Sequence, residues 1–244
     1  QHREQEVQVT QHEIDQHAVA APVFVAQRAD RHAEPAAGNL AERPAPHAWQ
    51  AMQVGLRAAP MQRAREVVRN LASDASTERL AVAAAGIVGD PQALPWLLAK
   101  MENPVLAKVS GEAFSAITGV DLNYEDLAQE PTEGEDDSDE SAVDDPLQEN
   151  DLLPAGHADS LPMPDAAKLV SWWRARNIHF ASNKRYLCGQ PISVASALHV
   201  LKRGQQRDRA AAALELALLQ PQAVLFDVQA RGRLQKRRLA QWNS

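Results

Sequence analysis

The sequence predicts an all-α fold of stacked antiparallel helical hairpins, interrupted by an acidic flexible linker. Three observations carry that expectation. Residues 80–120 read as a helix, a tight Gly-Asp-Pro turn and a helical hairpin. A similar hairpin recurs one hundred residues later without a gap. Only 5% of the chain is aromatic, and Ala, Leu, Gln and Arg are abundant while β-branched residues are few, a balance that favours helix over sheet.

The core stretch is punctuated for physical reasons. Gly86 and Gly89 lie near the end of an Ala/Val/Leu-rich helix, where glycine supplies a left-handed cap without steric cost. Asp90 and Pro91 then provide an N-cap and a first helical position that needs no N–H. Leu94, Leu97, Leu98 and Met101 recur at three- and four-residue spacing in the next helix. Asn103-Pro104 breaks that helix before another, which carries Val105, Val109, Ala113, Phe114 and Ile117.

Setting Pro91 against Pro191 places Leu98 on Leu198, Met101 on Leu201, Pro104 on Gly204, Ala113 on Ala213 and Phe114 on Leu214. Apolar positions match and exposed ones do not. A unit that cannot bury its own apolar face and stacks on a neighbour repeats in this way.

The segment GDPQALPWLLAKMENPVLAKVSGEAF resembles a HEAT-like repeat, the unit of an α-solenoid. GEAFSAITGVDLNYEDL, KRYLCGQPI and GQQRDRAAAALELALL are similar to a bacterial family of unassigned function with HEAT-like repeats, some members of which are associated with type VI secretion gene clusters. The resemblance covers residues 80–239 and matches the first sixty residues poorly. It implies a helical-repeat fold and no catalytic residues. Some HEAT-like proteins bind DNA, a few excise damaged bases and others carry chromophore-lyase activity, so the resemblance admits these chemistries as well.

Residues 1–60 form an N-terminal segment, partly helical, with prolines at Pro22, Pro35, Pro44 and Pro46. Short helices are expected at 6–16 and 22–32, with Val19, Val23, Phe24 and Val25 as core candidates. His2, His12, His17, His32 and His47 lack the spacing that sets two imidazoles on one helical face, so no metal site is expected. The first repeat block spans 61–128. Within it MQRAREVVRNL is an amphipathic helix with Val67, Val68 and Leu71 on one side, and Ser76 or Thr77 caps the helix that runs into Gly86. DLNYEDL extends the block as a short helix.

Residues 129–163 form the linker. Within it, residues 130–151 contain 11 carboxylates and no Lys or Arg, a composition that cannot offset the entropy of ordering. An acidic lure for a basic partner is the functional alternative. The pattern lacks the alternating ligands and fixed glycine of a calcium loop.

The second repeat block, 164–244, opens with a helix over 164–180 in which Leu169, Val170, Trp173 and Ile178 are core candidates. Trp172 and Trp173 point about 100° apart, so one is buried while the other lies at the edge. With Arg174 and Arg176 beside it, Trp172 serves either as a partner-binding anchor or as a cap on the stack. NKRYLCGQP is a loop in which Lys184 and Arg185 contact a partner or Tyr186 and Leu187 pack under the next helix. Cys188 has no identifiable orienting Asn or Asp near His179 or His199, so no nucleophile is assigned.

The chain has 32 Asp and Glu against 25 Lys and Arg, a formal net charge of −7, yet its C-terminal third is basic. Lys202, Arg203, Arg207, Arg209, Arg231, Arg233, Lys236, Arg237 and Arg238 face only Asp208, Glu215 and Asp227. The acidic linker and this basic end attract one another weakly and in a salt-sensitive way. RGRLQKRRLAQW is a basic amphipathic helix with Leu234, Leu239 and Trp242 as its apolar members.

No apolar run of eighteen residues is present, so no membrane partner is expected. The first residues, QHREQEVQVTQ, lack the apolar stretch of a secretory signal. A lone cysteine suits a reducing cytoplasm. No catalytic, cofactor-binding or metal residue is assigned and no cofactor is expected. The expected function is a non-enzymatic scaffold or adaptor that binds another protein. Its partner-binding residues are Trp172, Arg174, Arg176, Arg233, Arg237, Arg238 and Trp242. The alternative is a nucleic-acid-binding repeat protein that uses the basic C-terminal region.

Overall fold

The computed structural model describes residues 47–130, 153 and 160–242. The expected helices at 6–16 and 22–32, His2, His12, His17 and His32, the core candidates Val19, Val23, Phe24 and Val25, and most of the acidic stretch lie outside the described residues. Contacts divide the described chain into two units, 47–192 and 193–242. Ile192 is the last residue of the first unit.

In the first unit the chain forms α1 (Ala48–Ala58), α2 (Met61–Ala72), α3 (Glu78–Val88), α4 (Leu94–Lys100), α5 (Pro104–Thr118) and α6 (Ala166–Arg176). A strand pair, β1 (Tyr186–Leu187) and β2 (Gln190–Pro191), follows. Among the described residues the protein is predominantly helical. The strand pair is a local departure from the all-α expectation.

Helices α2 and α3 form one hairpin, α4 and α5 a second, and α3 lies against α5. The approach is close because Gly86 faces Ala113, where a Cβ would come within 2.9 Å of the Ala113 Cα. Gly86 is thus an internal contact point rather than the cap expected from sequence, and α3 continues to Val88. Val82, Leu94, Leu97, Val109, Phe114, Ile117 and Leu169 are buried together in the main core. Leu56 of α1, Ala64 of α2, and Ala84 and Val88 of α3 make a second cluster.

The turn between the hairpins is held by charge as well as by backbone. Asp90 accepts from the Gln92 N–H at 3.1 Å and receives Arg65 of α2 through two bonds, 2.6 Å from Nε and 3.1 Å from Nη2. The same guanidinium donates to the Ser182 carbonyl at 2.8 Å. The hydrogen bond to Asp90 raises the Arg65 pKa above its ordinary value. Asn103 repeats the capping device for α5, accepting from the Val105 N–H at 3.1 Å with Pro104 at the first helical position.

The β1–β2 hairpin closes the ends of α3 and α5. Its loop, Cys188-Gly189, has φ of +47° and +77°, the paired left-handed conformation that two-residue hairpins favour. Tyr186 N–H donates to the Gly89 carbonyl at 2.7 Å, Cys188 N–H to Ala116 at 2.8 Å, and Gly189 N–H to Ile117 at 3.0 Å. Arg185 donates to the carbonyls of Val88 at 2.7 Å and Arg57 at 2.5 Å, ending α3 and α1 with one side chain. Gly89 and Gly119, at φ +71° and +75°, end α3 and α5 where the hairpin backbone passes.

Two local expectations are corrected. DLNYEDL makes turns instead of a helix, because the Asp121 carboxylate accepts the Asn123 and Tyr124 N–H groups, each at 3.1 Å, and competes with helical bonding. Ile178 is 84% exposed in a short 3-10 turn, Asn177–His179, that follows α6. The described residues on either side of the acidic stretch pair with each other. Ala128 bridges to Pro164, Gln129 N–H donates to Met163 at 2.8 Å and Asp165 N–H to Leu127 at 2.8 Å, so its two stems are paired on the first unit. Leu153 is buried in that unit's main core.

The second unit contains α7 (Val194–Arg203), α8 (Gln206–Leu219) and α9 (Gly232–Gln241). Ser193 and Ser196 form a capping box at the start of α7. The break at Gly204 corresponds to that at Pro104, as the internal alignment expects. Leu201 and Ala213 are buried like Met101 and Ala113, but Leu198 and Leu214 are only half-buried whereas Leu98 and Phe114 are buried.

Two substitutions test this packing. Gly89→Ala places a Cβ 2.2 Å from the Tyr186 carbonyl oxygen in a left-handed backbone, and should lower stability by about 2–4 kcal/mol, read by thermal or urea unfolding. Ser110 is fully buried and its hydroxyl has no hydrogen-bond partner among the described residues, so Ser110→Ala should raise the unfolding free energy by about 1 kcal/mol, read by urea unfolding.

Candidate interaction surface

The C-terminal helix α9 is formed by good helix formers, GRLQKRRLAQ, and none of its residues is buried. Apolar packing therefore does little to hold it, and a polar relay takes that part. Arg209 of α8 donates to the Leu201 carbonyl at 2.9 Å, to Gln206 Oε1 at 3.0 Å and to Gln235 of α9. Gln235 in turn donates to the carbonyls of Val228 at 2.9 Å and Ala230 at 2.6 Å. Asp227 accepts the N–H groups of Gln229 at 2.8 Å and Ala230 at 3.1 Å, shaping the turn before the helix. Phe226, buried, anchors the same connection.

Arg231, Arg233, Lys236, Arg237 and Arg238 are all exposed. No acidic residue occurs in 228–242, and none of the five takes part in an ion pair among the described residues. Arg233 and Arg237 stand one turn apart, where like charges cost stability. The basic side chains are interleaved with apolar ones: Val224 is 65%, Leu225 42% and Leu234 47% exposed. Arg238 Nη1 donates to the Leu225 carbonyl at 3.5 Å, which sets that guanidinium beside Leu225, with Leu234 one turn earlier on the helix. Trp242, expected as an apolar tip, is half-buried.

The second group of sequence-derived residues lies in the first unit, on α6. Trp172 is half-buried, its ring edge-on to Phe114 at 5.7 Å and its indole N–H donated to Glu125 at 2.9 Å. Arg176 covers the ring at 4.8 Å. Trp173 packs on Phe180 at 5.4 Å. Both indoles are thus engaged within the fold, while Arg174 and Arg176 are exposed. The structure gathers Arg233, Arg237, Arg238 and Trp242 on α9 and its end, and Trp172, Arg174 and Arg176 on α6.

Sequence reasoning missed Tyr124, 89% exposed in the turn before the acidic stretch, and the supporting pair Arg209 and Gln235. Arg209, which the sequence groups with the basic surface, is half-buried and holds α9. Arg185, weighed for partner contact, is occupied by helix-end carbonyls. Cys188 occupies the left-handed hairpin turn, half-buried. Among the described residues no group of three or more His, Cys, Asp or Glu is placed to hold a metal ion, and no helix is long and apolar enough to cross a membrane.

If the relay holds α9, Arg209→Ala should leave the helical content of the chain almost unchanged while amide hydrogen exchange across 232–241 speeds up by about tenfold or more, the loss of roughly one to two hydrogen bonds. Unchanged protection in that variant would show that other contacts fix the helix.

No protein-family model matches the chain, and no curated protein or solved structure matches it significantly.

Proposed function

We propose that the protein is a non-enzymatic interaction module, a scaffold or adaptor of HEAT-like helical-repeat type, that docks another protein on α9. The observation that carries this reading is the exposed helix itself. Five cations that form no ion pair among the described residues crowd onto a segment with no buried residue, interleaved with exposed Val224, Leu225 and Leu234. A sequence that keeps like charges one turn apart sacrifices local stability, a cost expected where a surface serves binding. Apolar exposure beside the cations favours a protein partner, since a phosphate backbone would leave those side chains wet.

Helical hairpins in which α3 lies against α5 support the repeat reading. The sequence resemblance extends it to a bacterial cytoplasmic setting and a secretion-related assembly. Nucleic-acid binding is the second reading, favoured by the same cluster of positive charge, with no acidic residue in 228–242. The net charge of −7 opposes it.

Capture of the tagged chain from its native cells, with and without nuclease, tests the proposal against an Arg233→Glu/Arg237→Glu variant whose folding is checked by circular dichroism. A nuclease-resistant protein partner lost from the variant is the expected result. Recovery that collapses with nuclease would move the function to nucleic acid, and a partner kept by the variant would remove α9 from the binding role.

A further inference from the structure

The character of the α9 surface specifies its occupant more closely, an inference that rests on the docking reading above. We infer that α9 takes an acidic peptide segment in which carboxylates alternate with apolar side chains. Charge complementarity carries the first half. Arg231, Arg233, Lys236, Arg237 and Arg238 are exposed cations with no acidic residue in 228–242. The positions of the leucines carry the second half. Arg238 Nη1 lies 3.5 Å from the Leu225 carbonyl, and Leu234 lies one turn before Arg238 on the helix, so exposed leucines and cations share one short segment. A segment that satisfies this surface offers apolar side chains as well as carboxylates.

Other polyanions fit less well. Nucleic acid and its regular phosphates would pair with the cations and leave Val224, Leu225 and Leu234 without apolar contact. An anionic lipid surface needs a continuous apolar face on the helix, but Leu239 and Trp242 are half-buried, so Leu234 is the one large apolar residue of α9 that stands exposed. A peptide supplies both charges and apolar groups within one or two helical turns.

The chain itself carries a segment of this chemistry. Residues 140–151, ESAVDDPLQEND, have five carboxylates and no cation, with Val143 and Leu147 four apart and Asp144 and Asp145 between them. That segment supplies the probe.

A fluorescently labelled peptide of residues 140–151 is titrated with the full chain, and with a full-chain variant in which the carboxylates at 135, 136, 137, 139, 140, 144 and 145 are replaced by their amides so that they cannot compete. Saturable binding to at least one of the two chains is expected. Binding should weaken at least tenfold on Arg233→Glu/Arg237→Glu and several-fold when Val143 and Leu147 of the peptide are changed to serine. Leu234→Ser in the chain should weaken it likewise, which separates apolar recognition from simple charge attraction. No binding to either chain would overturn the inference, as would binding indifferent to the serine changes. Tighter binding of a DNA duplex or of vesicles containing phosphatidylserine at the same salt would also overturn it, in favour of that polyanion. If the peptide fails while cellular capture still depends on α9, the acidic chemistry falls and the docking reading stands. If both fail, the docking reading falls too.

Discussion

The structure of the larger unit depends on how its helix ends are satisfied. A helix leaves its last carbonyls without intrahelical partners, and when such ends are packed inside a protein those groups must find donors elsewhere. Here the donors come from a strand hairpin more than sixty residues further along the chain. Tyr186 N–H meets Gly89, Cys188 and Gly189 meet Ala116 and Ile117, and Arg185 meets Val88 and Arg57. The backbones approach so closely that only glycine fits at 89 and 119. The pairing of 127–129 with 163–165 then follows naturally, because a chain that leaves and must return to the same helix ends closes its stems. Asp90 works at the same place, joining the turn after α3 to Arg65 and, through it, to the Ser182 carbonyl that precedes the hairpin.

The smaller unit is built on a different balance. Ala197, Val200, Leu201, Ala212, Ala213 and Leu216 are buried, yet α9 contributes no buried side chain and is positioned through Arg209 and Gln235. A helix held by polar contacts instead of apolar burial keeps its side chains for solvent or for a partner. The same circumstance makes the charge of α9 meaningful: cations that form no ion pair among the described residues, in a segment where they repel one another, are difficult to account for by folding alone.

Much of the helical architecture was legible in the sequence. Asp90-Pro91 and Asn103-Pro104 announce helix starts through side-chain acceptors and a residue that lacks an N–H, and both behave so. The exposed basic helix was read in the same way, from a cluster of cations. Other features were not legible. Gly86 looked like a cap because a glycine at a helix end and a glycine at a helix crossing are the same letter, and only Ala113 distinguishes them. Ile178 looked like core by spacing, but α6 gives way to a tighter 3-10 turn and the spacing lapses. Arg209 looked like surface charge, since nothing local reveals that Leu201, Gln206 and Gln235 surround it.

What the sequence determined by itself is the local part: helical propensity, the caps and breaks, the apolar positions of α3 to α5, and the charge of α9. These depend on residues within a turn or two, where period and capping chemistry act. Tertiary structure alone decided where residues 164–192 belong, because the hairpin's destination is set by the unsatisfied carbonyls of α3 and α5. It likewise decided which arginines remain on the surface. Arg65, Arg185 and Arg209 are drawn inward by acceptors distant in sequence or in an adjacent helix, while Arg233 and Arg237 meet none among the described residues. A guanidinium is chemically the same in either setting, and the acceptors within its reach, which only the folded chain supplies, decide which setting it occupies.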